Sequence, residues 1–178
     1  MTSYLGSLIA SMFEHCSVIW GPQYESDLVP FEAVQKRGVK FIAGHQRFDH
    51  YSADTFLAKQ KEYGILPVRL RFILRDIVMF YKIVNSLVPI NLPDYISPTE
   101  ADQVRYTRRT AAIIDFTDIS TYNCSIVPTC DSFRKGFFYR TMLLWNRLPL
   151  EVRQTSNISA FKASIIDRLW SVDIRWPD

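Results

Sequence analysis

The sequence predicts a mainly helical α+β chain, with a helical N-terminal half and a C-terminal half of a few short strands and two closing helices. Three observations carry this expectation. Leu70, Ile73, Leu74, Ile77, Tyr81 and Val84 recur at three- and four-residue steps, which builds one apolar face on an α-helix. Residues 104–116 are rich in β-branched and aromatic side chains, which suit a pleated, half-buried surface. A further helix, centred on Trp145, stops at Leu148-Pro149, because proline cannot continue the hydrogen-bond ladder. The hydrophobic fraction of 48% against 22% charged is that of a folded chain, and 14% aromatics call for a bulky core. A length of 178 residues allows one ordinary domain or two small ones.

Taken in order, Tyr4 to Val18 reads as a first helix, apolar on most sides and ended by Trp20-Gly21-Pro22. Ser26 or Asp27 caps a second, with Leu28, Phe31, Val34 and Ile42 as its buried face and Lys36, Arg37 and Lys40 opposite. Ser52 and Asp54 are caps for a short helix to about Tyr63, where Gly64 is a stop. Pro67 opens the clearest helix, which runs to about Leu87. Pro89, Pro93 and Pro98 break the chain there. Short strands are expected over 104–116 and 125–130. Asp131 or Ser132 then caps the helix to Leu148, and a last helix from near Asn157 buries Phe161, Ile165 and Leu169. The segments are 1–45, 46–90 and 91–178.

Several classes of chemistry find no support in these residues. Two-metal phosphoryl transfer needs convergent carboxylates, and there is no Asp-Asp pair; Glu100-x-Asp102 and Asp115-x-x-Asp118 are the nearest clusters. His15, Cys16, His45, His50, Cys124 and Cys130 lack zinc spacing, so no metal and no other cofactor is expected. Cys16 and His15 are helix neighbours that point apart, which rules out a nucleophile–base pair. No catalytic residue and no small-molecule substrate are expected. Three cysteines at irregular spacing suit a reducing, intracellular compartment, cytoplasm or nucleus. No apolar run reaches the roughly 18 residues of a membrane span.

Charge is what remains. The net charge is only +3, but residues 67–109 carry 7 basic and 4 acidic groups, and residues 132–178 carry 8 and 4. Arg71, Arg75 and Lys82 fall on one stripe of their helix at about 100° per residue. Arg134, Lys135, Arg140 and Arg147 form a second set, with Arg140 and Arg147 at the margin of the apolar face. Such side chains contact phosphate oxygens, or lie along the edge of a core and pair with carboxylates.

The order of short motifs adds a resemblance. Phe13 to Trp20, Phe31-Glu32-Ala33-Val34-Gln35-Lys36-Arg37, Tyr63-Gly64-Ile65-Leu66-Pro67 through Arg75-Asp76, Tyr81 to Asn85, Thr107-Arg108-Arg109, and a terminal set of Phe137, Arg140, Trp145-Asn146, Leu148-Pro149, Ser159 and Phe161-Lys162 follow one another along the chain. This series resembles the C-terminal region of the reverse transcriptases of non-LTR retrotransposons of the LINE-like, jockey and CR1 type. His15 stands where that family usually has an aromatic. The resemblance implies that residues 1–45 are similar to a thumb and the rest to the region after it, with the catalytic palm elsewhere in the parent protein. It implies a non-catalytic accessory region of an RNA-directed DNA polymerase that binds RNA or DNA through the cations above. Trp20, Trp145, Asn146, Leu148, Pro149 and Phe161 then form a structural motif. The alternatives are a scaffold that docks on the upstream polymerase core, with an apolar patch along Leu5, Leu8 and Met12, and a decayed transposon relic without function.

Overall fold

A computed structural model describes residues 11–12, 14–22, 24–44, 53–99 and 121–171, with side chains at 53 and 54 excepted. The strand expected over 104–116, the acidic clusters from Glu100 to Asp118, the Thr107-Arg108-Arg109 motif, His45, His50, Leu5 and Leu8 lie outside the described residues. The described part is mainly helical, with eight helices and one two-stranded antiparallel sheet. It divides into two compact units, Met1–Arg75 and Asp76–Asp178.

In the first unit, Ser11, Met12 and Glu14 are helical, but the helix expected to reach Val18 breaks at His15-Cys16. Cys16 adopts a left-handed conformation, φ 54°, and a new short helix α1 covers Ser17–Trp20. A left-handed residue interrupts the right-handed hydrogen-bond ladder, which hydropathy alone does not reveal. Gly21 then passes so close that a Cβ there would stand 2.4 Å from the Ser17 carbonyl oxygen.

Helix α2 is Glu25–Ile42. Its cap is Tyr24, without a side-chain bond, and Glu25 and Asp27 lie in the first turn, where negative charge complements the helix dipole. The expected apolar face is corrected at one position. Val34 is exposed, and the buried side runs Leu28, Gln35, Val39, with Phe31 and Ile42 half-buried. Helix α3, Ala53–Glu62, ends where Gly64, φ 65°, turns left-handed. There the Ile65 N–H donates to Gln60 O at 2.8 Å and the Gly64 N–H to Lys61 O at 3.1 Å. This pair of bonds is the glycine-assisted helix stop expected from the sequence.

Helix α4 is Val68–Val84, and the unit boundary falls within it. It ends earlier than the expected Leu87, by the same closure with Ser86 (φ 54°) in place of glycine. The Leu87 N–H donates to Lys82 O at 2.8 Å and the Ser86 N–H to Ile83 O at 3.0 Å. Gln35 organises the first unit. Its Oε1 accepts from Gln60 Nε2 at 3.0 Å and from the Val68 N–H at 2.9 Å, and its Nε2 donates to Leu66 O at 2.8 Å. One buried amide thereby ties α2 to α3 and caps the start of α4.

In the second unit, β1 (Ile96–Pro98) pairs antiparallel with β2 (Tyr122–Cys124), in the register Ile96↔Cys124 and Pro98↔Tyr122. The strand expected at 125–130 does not form; β2 ends at Cys124, with one further bond from the Ser125 N–H to Tyr95 O at 2.9 Å. Pro98 is tolerated in β1 because a two-stranded sheet consists of edges, where a missing N–H need not break a ladder. The helix expected from Asp131 to Leu148 is split at Gly136 into α5 (Asp131–Arg134) and α6 (Phe137–Asn146). A Cβ on Gly136 would lie 3.1 Å from Phe133 O. Helix α7 (Leu150–Arg153) starts from Pro149, and α8 is Ile158–Ser171. Asn157 caps α8, accepting the Ser159 N–H at 2.8 Å. The core gathers Ile77, Phe80, Tyr81, Trp145, Phe161, Ile165 and Leu169, all buried.

Candidate nucleic-acid interface

Arg71 and Arg75, on successive turns of α4, are engaged by one acid of the first unit. Arg71 Nη1 donates to Glu14 Oε1 at 2.6 Å, and Arg75 Nη2 donates to Glu14 Oε2. Arg71 Nε also donates to Leu66 O at 3.0 Å. Burial pushes the Glu14 carboxyl up, but the two guanidinium hydrogen bonds outweigh it and hold the group below the ordinary carboxylate range. In the same unit Arg69 forms a fork with Glu25 and lies 3.5 Å from Glu32.

In the second unit Arg140 is 6% exposed. Its Nε donates to Asp76 Oδ2 at 2.8 Å and its Nη1 to Lys135 O at 2.6 Å. Arg140 is therefore enclosed and out of reach of a phosphate, a correction to the surface role expected for it. Burial raises the Asp76 carboxyl to about 6, against the pull of Arg140. Arg140 and Arg147, expected within about 20° of each other around one helix, differ in surroundings: Arg140 is buried inside α6, whereas Arg147 is its C-cap and exposed.

The remaining cations lie nearer the surface than Arg140. Arg134 is exposed, 3.8 Å from Asp131, with a long 3.4 Å contact to Pro128 O. Lys82 and Lys135 are half-buried. Neither Lys82 nor Arg147 has an ion pair among the described residues.

The terminal motif faces inward. Trp145 is 1% exposed, with ring centroids 5.5 Å from Phe80 and 5.9 Å from Phe161. Phe161 stacks on Tyr81 at 4.3 Å, and the Tyr81 hydroxyl donates to Thr155 O at 2.7 Å. Asn146 acts as a strand would: its Oδ1 accepts the Tyr122 N–H at 3.0 Å and its Nδ2 donates to Tyr122 O at 2.7 Å. Leu148 is buried and Pro149 sets the start of α7. In the first unit Trp20 is partly exposed, stacked on Phe31 at 5.7 Å and edge-on to Phe72 at 5.8 Å, with Nε1 donating to His15 O at 2.6 Å.

Three polar residues that decide this geometry escaped the sequence reading: Glu14, Gln35 and Asp76. Two left a signal. Gln35 lies seven residues after Leu28, and Asp76 lies between Ile73 and Phe80 at three- and four-residue steps, so both sit on buried faces. Among the described residues no three potential metal ligands converge, Cys16, Cys124 and Cys130 are free thiols, and no helix is long and apolar enough to cross a membrane. Comparison with protein-family models, curated proteins and solved structures finds no match to the chain.

Proposed function

We propose that the chain is an accessory region of the RNA-directed DNA polymerase of a non-LTR retrotransposon, non-catalytic by itself, acting inside the cell by holding RNA or DNA. The order of motifs from Phe13 to Lys162 suggests the family. The observation that carries the nucleic-acid role is the division of labour in the second unit. Trp145, Asn146 and Leu148 hold the core, while Arg134 and Arg147 stand exposed, with Lys82 and Lys135 half-exposed. Arg147, an exposed guanidinium with no ion pair among the described residues, suits phosphate oxygens, and Arg134, only loosely held by Asp131 at 3.8 Å, can turn to one.

Fluorescence anisotropy with a labelled RNA hairpin, repeated across salt concentrations, tests this. Binding should weaken with salt, with a log–log slope of about 0.9 per phosphate contact on a duplex. Binding that does not respond to salt, or nucleotide incorporation by the purified chain alone, overturns the proposal. A second reading, docking on a separate polymerase core, is favoured by the apolar exposure of the first unit: Met12 70%, Ile19 85% and Phe41 71%. It predicts no RNA binding and tight association with a polymerase core supplied in trans. A relic predicts neither.

A further inference from the structure

The Glu14 carboxylate bridges Arg71 and Arg75 from 57 and 61 residues earlier in the chain, giving one oxygen to each guanidinium. Two acceptor oxygens on one centre, each taking an Arg N–H, is also how the non-bridging oxygens of a phosphodiester are held. We propose that Arg71 and Arg75 are a phosphate site for a nucleic-acid strand, held shut by Glu14. The inference rests on the nucleic-acid reading above.

Four features support a latch over a fixed structural ion pair. Two guanidiniums face one carboxylate, so the cluster keeps a net positive charge after pairing. Exposure is graded across it: the side chains of Glu14, Arg71 and Arg75 are 15%, 21% and 46% exposed, so an incoming anion meets Arg75 first. Arg71 is oriented independently of Glu14, through its Nε bond to Leu66 O, and keeps its aim when the carboxylate leaves. The backbone beside Glu14 is secured without its carboxylate, by the His15 N–H to Ser11 O at 3.1 Å and by Trp20 Nε1 to His15 O. The Glu14 side chain can therefore swing out without unfolding its segment. The enclosed Arg140–Asp76 pair of the second unit has no such access.

The test uses the full chain and the labelled RNA hairpin. Glu14→Gln is expected to tighten binding by about 3- to 10-fold and to steepen the log–log salt slope by about 0.9, one further phosphate contact. Asp27→Asn makes the same change of charge at an exposed position of the first unit that forms no ion pair among the described residues, and is expected to shift affinity less than about twofold. Adding Arg75→Gln to Glu14→Gln should abolish the gain. Glu14→Asp withdraws the carboxylate by one methylene at constant charge, and should also tighten binding; it serves where Glu14→Gln fails to fold in a thermal melt. If wild type binds and neither Glu14 variant exceeds Asp27→Asn, the latch is overturned and the accessory reading stands. If no variant binds the hairpin, both fall.

Discussion

Among the described residues the first unit buries six apolar side chains, Leu28, Val39, Leu66, Val68, Phe72 and Ile73, whereas the second buries fourteen. The first is tied by polar contacts: the Gln35 amide at the meeting of three helices, Glu14 between two arginines, and Arg69 on Glu25. The second is tied by aromatic packing around Trp145, with one enclosed ion pair. Apolar burial is non-directional and little affected by pH or salt, whereas hydrogen bonds are directional and ion pairs respond to both. The first unit is thus held more by polar and charged contacts, and the second more by apolar packing.

The largest break in this contrast is Trp145→Ala, which should cost about 3–5 kcal/mol through the cavity left among Phe80, Tyr81 and Phe161. Hydrogen exchange over 137–171 should collapse, with much smaller changes over 25–42. Next is Arg140→Met, which strands Asp76 in a buried site and should cost about 3 kcal/mol. The double change Asp76→Leu with Arg140→Met should recover most of that loss in urea unfolding. Gln35→Ala comes third, at about 2 kcal/mol, because Gln60, Leu66 O and the Val68 N–H all lose a buried partner. Its exchange signature should stay within the first unit.

Acid should pull the two units in opposite directions. The folded value of Glu14 lies below its ordinary 4.5, so its pairing contributes fully above 4.5 and is lost as pH falls through the lower folded value. Asp76 is raised from 3.8 to about 6, so the folded state takes up this proton first. The stability linked to Asp76 is complete below 3.8 and is lost as pH rises through about 6. Exchange rates corrected for intrinsic pH dependence, measured from pH 7 to 4, should therefore show protection rising around α6 and falling around α1 only at the acid end. Matching trends in both would refute the assignment. The smallest effect on stability is Arg147→Gln, within about 0.5 kcal/mol. It should still lower hairpin affinity and reduce the salt slope by about 1.

What the chain made legible was local. The period of Leu70 to Val84 marks α4, Gly64 marks the stop after α3, and Phe161, Ile165 and Leu169 mark the buried stripe of α8. Each depends on residues within a turn or two, where sequence spacing and spatial spacing coincide. The break at Cys16, the split at Gly136 and the Ser86 closure were less legible, because serine and cysteine carry no strong left-handed preference and a single glycine does not announce a helix end.

Sequence alone determined a mainly helical chain with apolar faces at known positions and a terminal motif dense in core-forming side chains. Tertiary structure decided which cations remain available. Arg140 meets Asp76 across 64 residues, and Glu14 reaches Arg71 across 57, while Arg134 and Arg147 stay in solvent. It also placed Ile96–Pro98 against Tyr122–Cys124 and gave Asn146 its hold on Tyr122. Periodicity orients a side chain about its own helix axis. Coulombic and hydrogen-bond partners are set by the distance between helices and strands after they pack, and no local spacing encodes that distance.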